Sequence, residues 1–493
     1  LSRALAAPIL ADARRRPGAP ALIWYGATDC GQQTIGYGEL AELADRVGRD
    51  VEARYGQEPG PLALVAVKST LSIATVLACL ANGRPLLLLS PELGEDTRAA
   101  LVLRAGARAV LTPTGTELTH GPLLPRDETA GTPPADTALI LTTSGSTGLP
   151  KLVPLPASAL EAFTAWAGEA FTLDRDTRVL NYAPLNFDLC LLDIWATLRH
   201  GGCVVPVPAD RAVDGAFLDT LLRETRPHVV QAVPLFFRLL LDAAEAPLTG
   251  VRDVLLTGDH VPRNVRARLP ELFPQARLHN VYGCTETNDS MVHTFGPDEA
   301  AEADVLPLGR PLPGVSVRLL GPDGETAVEG VGAEGVEAVG ELVVSTPFQT
   351  HGYLADDRSA ERFERRGDHV WYRTGDLVRR DADGLVRLVG RTDFQVKVRG
   401  VRVNLEEVER VLGGHADVAE AAVVALPDDE AGKVLHAFVR PAAAGLTGLG
   451  LRTHCAARLN RLAIPARFHL VDEPLPVGPT GKTDRRRLEE RLT

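Results

Sequence analysis

Methionine occurs once and lysine five times in the 493-residue chain, and aromatic side chains make up only 5% of it. Apolar runs such as Leu86 to Leu89 fall far short of the ~18 residues a membrane-spanning helix needs, so no membrane partner is expected. The N-terminus has neither the basic n-region nor the apolar h-region of a secretory signal, which points to a cytoplasmic protein. It begins with Leu1 in place of methionine, as a processed or excised N-terminus would. The six cysteines, at 30, 79, 190, 203, 284 and 455, form no C-x-x-C pair and no Cys/His cluster at metal-ligand spacing. Reduced core thiols are expected. Basic charge is in deficit as well: 52 Lys plus Arg face 64 Asp plus Glu, a net charge of −12. That balance argues against a chain that neutralises many nucleic-acid phosphates.

What is present is the composition of a globular protein, 45% hydrophobic and 24% charged, with a mean hydropathy of +0.01. The length suits about three compact units. The lysine shortage is itself informative. Arginine supplies 47 of the 52 basic residues, so a lysine kept at 68, 151, 397, 433 or 482 ranks high among places that need a compact ammonium instead of a planar fork.

Helical patterns (Tyr37 to Val51, Leu71 to Leu80) alternate with short apolar runs (Leu62 to Val67, Leu86 to Leu89, Val110 to Leu111), the rhythm of an α/β fold. Thr112 to Asp136, rich in Thr, Pro and Gly, reads as a surface connection, and Ala138 to Leu141 as a buried parallel strand. A second α/β series follows, with strands near Val179 to Leu180, Cys203 to Val207, Val229 to Val233, Val254 to Leu256 and Leu278 to Val281. Beyond about residue 305, short Val/Gly/Pro-rich strands suggest a β-rich subdomain, with Gly321 to Gly340 as its turn-rich excursion. A compact C-terminal unit begins after Gly390. Alternation in Phe394 to Arg399 puts Lys397 on one face with Gln395 and Arg399, and Gly400 interrupts that strand. Asn404 is predicted to cap a helix with an apolar stripe of Leu405, Val408, Val411 and Leu412 and with Glu407 at its third position.

Four segments carry chemistry. Thr142-Thr-Ser-Gly-Ser-Thr-Gly-Leu-Pro-Lys151 follows the buried strand and concentrates five hydroxyls, two glycines and a rare lysine, a loop suited to phosphate. It matches neither G-x-x-x-x-G-K-[ST] nor G-x-S-x-G, which leaves an ordinary Ser/Gly-rich turn as the alternative. Asn280-Val-Tyr-Gly-Cys-Thr-Glu286 ends another strand; Tyr282 could cover a base and Glu286 could hold Mg2+ beside a polyphosphate, or the segment is simply a polar turn. In Tyr372-Arg-Thr-Gly-Asp-Leu377, Asp376 could grip a ribose diol. Pro476 to Arg485 carries Lys482 on a Gly/Pro-stiffened loop, or forms a basic solvated tail.

Together and in this order, these segments resemble the adenylate-forming superfamily of acyl-CoA synthetases, luciferases and nonribosomal peptide synthetase adenylation domains, over almost the whole chain. Gly390-Arg-Thr-Asp-Phe-Gln-Val-Lys-Val-Arg-Gly400 resembles the family's G-R-x-D-x-Q-V-K-x-R-G hinge, and Asn280 to Glu286 its N-x-Y-G-x-T-E segment. Ser146, Leu152, Cys284 and Gly478 depart from the usual Thr, Gly, Pro and Thr; none of these removes a catalytic group, although Gly478 would loosen the Lys482 loop. The resemblance implies an α/β fold in two domains. Residues 1–391 would form the core, two α/β subdomains plus a small distorted β-barrel, and residues 392–493 a mobile α+β lid carrying the catalytic lysine.

The reaction implied is a two-step one: a carboxylate and MgATP give acyl-AMP and pyrophosphate, then a phosphopantetheine thiol attacks to give a thioester. The phosphate loop would be Thr143, Ser144, Gly145, Ser146, Thr147, Gly148 and Lys151, with Gly258, Asn280, Tyr282, Thr285, Asp376 and Arg391 completing the ATP/AMP site. Lys482 would bridge the substrate carboxylate and the α-phosphate, Glu286 would hold Mg2+, and a pivot at Asp393 would replace Lys482 with the Lys397 face for the second step. Asn186 to Trp195 is most similar to the amino-acid branch, whose Asp after Phe, here Asp188, holds the substrate's α-ammonium. Motif alignment adds Leu189, Leu192, Gln231, Leu255, Thr257, Val281, Asp289 and Ser290 to the substrate pocket.

Leu189 and Leu192 resemble prolyl-activating enzymes, whereas Gln231, Thr257, Asp289 and Ser290 favour a small polar or cationic amino acid. Asp289 could hold a second ammonium or a hydroxyl, or be satisfied by Ser290 and Gln231. The expected partners are the amino acid, a phosphopantetheinylated carrier protein in trans, since the chain ends just past the lysine loop, and an MbtH-like protein. The alternatives are a free-standing acyl- or aryl-CoA ligase and a nucleotide-binding scaffold without catalysis.

Overall fold

A computed structural model describes residues 3–26, 31–125, 130–143, 149–259, 261–303, 305–321, 326–329, 337–356, 359–391, 395–428, 432–442, 445–476 and 483–492. The chain divides into two compact units. One comprises Leu1–Pro91, Val102–Thr142 and Leu152–Thr392, the other Glu92–Leu101, Thr143–Lys151 and Asp393–Thr493.

The first unit is built on two largely parallel sheets. In the larger, Pro20–Tyr25, Cys203–Pro206, Arg178–Asn181, Val229–Ala232, Asp253–Leu256 and Arg277–Cys284 run parallel in that spatial order, and antiparallel strands cover both edges. These short runs of apolar residues are buried on both faces, as parallel strands between helices must be. The smaller sheet holds Leu62–Val65, Leu86–Leu89 and Val110–Thr114 with Thr137–Thr143 beside Leu86–Leu89, all parallel. Ala138 to Leu141 is at most 1% exposed, the buried strand the apolar run called for.

Helices Tyr37–Tyr55, Thr70–Asn82 and Ala157–Ala170 contribute Leu40, Val76 and Phe163 to one apolar cluster that also takes in Leu62, Leu86, Val179 and Val204 of the two sheets. In the third, all-antiparallel sheet, Ala338–Ser345, Phe363–Arg366 and Val386–Arg391 pair with the long strand His369–Arg380, Ser316–Leu320 pairs with Ala338–Ser345, and Thr326–Glu329 pairs with Ser316–Leu320.

Two connections turn out to contain strands. Glu117–His120 pairs antiparallel with Val110–Thr114, because Gly115 at φ +60° turns the chain back at the start of the supposed surface connection. Thr326–Glu329 likewise pairs with Ser316–Leu320 inside the supposed excursion.

In the second unit, Gln395–Val398 and Val401–Asn404 form a hairpin whose two turn residues, Arg399 (φ +51°) and Gly400 (φ +81°), both take left-handed conformations. The simple alternation expected there does not hold: Gln395 is buried while Lys397 and Val396 are half-buried. Asn404 does cap the helix Leu405–Gly413, its side chain accepting from the Glu406 N–H at 2.8 Å, and Leu405, Val408 and Leu412 are buried. A three-stranded sheet, Val418–Asp428, Gly432–Pro441 and Arg467–Leu470, completes the unit. The five described cysteines are free. Among the described residues no helix is long and apolar enough to cross a membrane, and no group of three or more His, Cys, Asp or Glu is placed to hold a metal.

Candidate active site

Open parallel sheets present their ligand sites at the carboxyl ends of their strands, and Thr257, Gly258, Tyr282 and Glu286 lie at or just beyond the carboxyl ends of Asp253–Leu256 and Arg277–Cys284. Strand Arg277–Cys284 turns tightly into Asn288–Phe295. A Cβ on Gly283 would lie 2.3 Å from the Asn288 carbonyl oxygen, so glycine is required at that crossing. The turn buries Glu286 to 1% exposure. Tyr353 donates its hydroxyl to Glu286 Oε1 at 2.7 Å, and the Thr350 N–H bonds the Glu286 carbonyl at 3.0 Å. Asn280 is anchored through Nδ2 to the Pro307 carbonyl at 2.7 Å, and Thr285 is half-buried. Gly258 takes φ +86° just beyond strand Asp253–Leu256, which a side chain would oppose.

A second constellation joins Tyr282, Asp376 and Arg391. The Tyr282 hydroxyl donates to Asp376 Oδ2 at 2.5 Å, and Arg391 donates to Asp376 Oδ1 and, at 2.9 Å, to the Thr374 carbonyl. Burial first, then the Asp376 charge, pushes the Tyr282 hydroxyl well above its ordinary value, so it stays protonated as the donor. Of the phosphate loop, Thr143 ends its strand with a buried hydroxyl that has no partner among the described residues, and Lys151 opens the next strand at 8% exposure. Ser144, Gly145, Ser146, Thr147, Gly148, Asp393 and Lys482 lie outside the described residues.

The third constellation surrounds Asp188, which sits on the turn before a buried π-helical segment, Leu191–Ala196. Such segments recur at functional sites. Asn181, Gln231, Leu255 and His279 lie side by side on neighbouring strands, and Leu192, Leu255 and Val281 share one apolar cluster against which Leu189 packs. The Gln231 amide donates both hydrogens inward, to the Leu189 carbonyl at 3.1 Å and to Asp193 Oδ1 at 3.0 Å. Two acceptors on that side fix the orientation of the amide. Ser290, fully buried, bonds within its own turn, to Thr287 Oγ1 at 3.1 Å or the Asn288 carbonyl at 3.2 Å.

Asp289 is buried, yet its carboxylate has no hydrogen-bond or ion-pair partner among the described residues. Burial, and secondarily the charge of Asp188, raises its pKa to about 7. The reading in which Ser290 and Gln231 satisfy Asp289 is therefore overturned: both are committed elsewhere. Thr257 is 5% exposed, at the end of its strand.

Two charged residues beneath this pocket had been assigned no role from the sequence. Asp193 is fully buried, accepting from Asn181 Nδ2 at 3.1 Å as well as from Gln231, and burial raises its carboxyl well above the usual range against the pull of Asn181, Lys68 and Gln231. Lys68 donates to the carbonyls of Asn181 at 3.2 Å and Tyr182 at 2.8 Å, and burial lowers its ammonium to about 8. Composition had singled out Lys68 as one of five lysines, but local sequence could not say what it meets. Tyr353, the partner of Glu286, was missed for the same reason.

A model of the AMP-binding enzyme family matches residues 10–354, and one of the AMP-binding enzyme C-terminal domain matches residues 407–482. The chain belongs to the AMP-binding enzymes. This AMP-binding enzyme is 27% identical to D-alanine--D-alanyl carrier protein ligase of Bacillus licheniformis, over 94% of this chain and 95% of that one. It is 35% identical to L-proline--(L-prolyl-carrier protein) ligase of Streptomyces coelicolor, over 72% of this chain and 66% of that one. The solved structure of holo-PA1221, a nonribosomal peptide synthetase protein containing adenylation and PCP domains, is similar to it at a TM-score of 0.82 and 27% identity, over 100% of this chain and 85% of that one. The AMP-binding enzyme is thus an adenylate-forming ligase with a large AMP-binding domain and a small C-terminal domain, related to amino acid–carrier protein ligases.

Proposed function

We propose that this enzyme adenylates an amino acid with MgATP and transfers the aminoacyl group to the phosphopantetheine thiol of a carrier protein. The observation that carries the reading is the acidic lining of the pocket, where Asp188 and Asp289 lie close enough for one charge to raise the other's pKa. Asp289, buried without a partner among the described residues, calls for a cation, and an amino acid brings ammonium charge into such an acidic pocket, whereas a fatty or aryl acid brings none. The carrier-protein step is supported by the relatives whose names specify carrier-protein ligases.

In the first half-reaction an oxygen of the substrate carboxylate attacks the α-phosphorus and pyrophosphate leaves; the protein's part is to position the reactants and neutralise charge. The Thr143 hydroxyl, buried without a partner among the described residues, suits a phosphate oxygen. Asp376 already accepts from the Tyr282 hydroxyl, and a ribose hydroxyl is the same kind of donor. Glu286 offers the hard oxygen that Mg2+ prefers, and the ion when bound would offset polyphosphate charge. Lys482, by its motif position, bridges carboxylate and α-phosphate. In the second half-reaction the thiol sulfur attacks the acyl carbon, AMP leaves, and the Lys397 hairpin takes the place of Lys482. Amino-acid-dependent exchange of pyrophosphate into ATP, followed by thioester formation on a loaded carrier, tests the reading; exchange driven only by fatty or aryl acids would overturn it.

A further inference from the structure

We infer that the side chain of the activated amino acid carries a second cation, which sits on Asp289 with the Gln231 carbonyl as a neighbouring acceptor. The inference rests on the amino-acid reading and narrows it to diamino acids.

Asp289 is only 9% exposed, and its carboxylate has no partner among the described residues. Folding does not retain such a group cheaply unless something else meets it. Its polar neighbours cannot serve, because the Ser290 hydroxyl proton is used within its own turn and both Gln231 amide hydrogens go to Leu189 and Asp193. Lys68 donates to two backbone carbonyls, and its charge acts on Asp193 and not on Asp289. Because its N–H groups face inward, Gln231 leaves Oε1 without a partner among the described residues, a second acceptor and no donor. Acceptors without donors match an ammonium better than a hydroxyl, amide or carbonyl side chain. The wall between the polar ends is apolar: Leu192, Leu255 and Val281 are at most 5% exposed and suit a methylene stem. Proline, or any neutral aliphatic side chain, would leave Asp289 buried and uncompensated.

The test uses the intact protein in pyrophosphate exchange, with 2,4-diaminobutyrate, ornithine and lysine set against homoserine, norvaline, norleucine and proline. At least one diamino acid should exceed every neutral one in kcat/KM by about tenfold or more. Asp289→Asn should lower that value by about 10²-fold, mainly through KM, and abolish the preference, since it strips a buried cation of its counter-charge. Asp289→Glu should keep the preference but move its optimum to a side chain one methylene shorter, which reads the contact even if the asparagine variant folds poorly. A wild-type preference for a neutral amino acid, or an unshifted length optimum in Asp289→Glu, overturns this inference and leaves amino-acid activation standing. Exchange with no amino acid at all overturns both.

Discussion

Replacing Asp289 by asparagine removes a carboxyl that is held, in the ligand-free protein, far from its preferred protonation equilibrium. Its pKa moves from the ordinary 3.8 to about 7, so the folded state binds this proton more tightly than the unfolded chain. Stability must then fall as pH climbs from about 4 to about 7 and level off above, because only the unfolded state ionises freely in that window. At 1.36 kcal/mol per unit the penalty is roughly 1.7 kcal/mol at pH 5 and about 4 kcal/mol at pH 8.

The asparagine amide has its own burial cost of about 1–3 kcal/mol if it too is unpartnered. Asp289→Asn is therefore expected to be near neutral or destabilising at pH 5 and stabilising by about 1–3 kcal/mol at pH 8. Urea unfolding of both proteins without ligand, at the two pH values, measures the crossover. A variant less stable by the same margin at pH 5 and pH 8 would show that the carboxylate has a partner in the folded state and would refute the reasoning.

Lys482→Ala should reduce amino-acid-dependent pyrophosphate exchange by about 10²- to 10³-fold with little change in thermal midpoint, the usual loss for one electrostatic donor at a reacting centre; unchanged exchange would dismiss its role. Lys397→Ala, or Gly400→Val at φ +81°, should cut thioester formation by about 10²-fold and adenylation far less, which separate assays of the two half-reactions on purified protein can check. Tyr353→Phe removes the hydroxyl that holds Glu286 Oε1 at 2.7 Å, and the Mg2+ concentration for half-maximal exchange should rise about tenfold; an unmoved Mg2+ requirement would free Glu286 from the metal role.

Elements whose formation depends on neighbouring residues were legible in advance. The apolar run at Leu86 to Leu89 is a strand with those bounds, and Asn404 caps its helix as its side chain predicts. Where local preference and pairing compete, the reading failed. Glu117–His120 and Thr326–Glu329 look like loop in isolation and become strands because a neighbouring strand offers them hydrogen bonds. The Lys397 segment reads as simple alternation, but its two-residue turn and the burial of Gln395 break the pattern.

The same boundary runs through the site. By itself the order of motifs determined the family and nominated Asp188, Glu286 and Asp376 as candidates, since each sits on a short contiguous segment whose residue types suggest its chemistry. Which polar groups of the pocket remain available to a ligand was decided only by tertiary structure. Gln231, Asp193, Asn181 and Lys68 come from four separate stretches of chain, and their mutual hydrogen bonds cannot be read from any one of them. A buried polar side chain is defined by what faces it across the fold. That is why Asp289 and Ser290, adjacent in sequence, differ: the hydroxyl of Ser290 is satisfied within its own turn, while the carboxylate of Asp289 feels the charge of Asp188 and has no partner among the described residues.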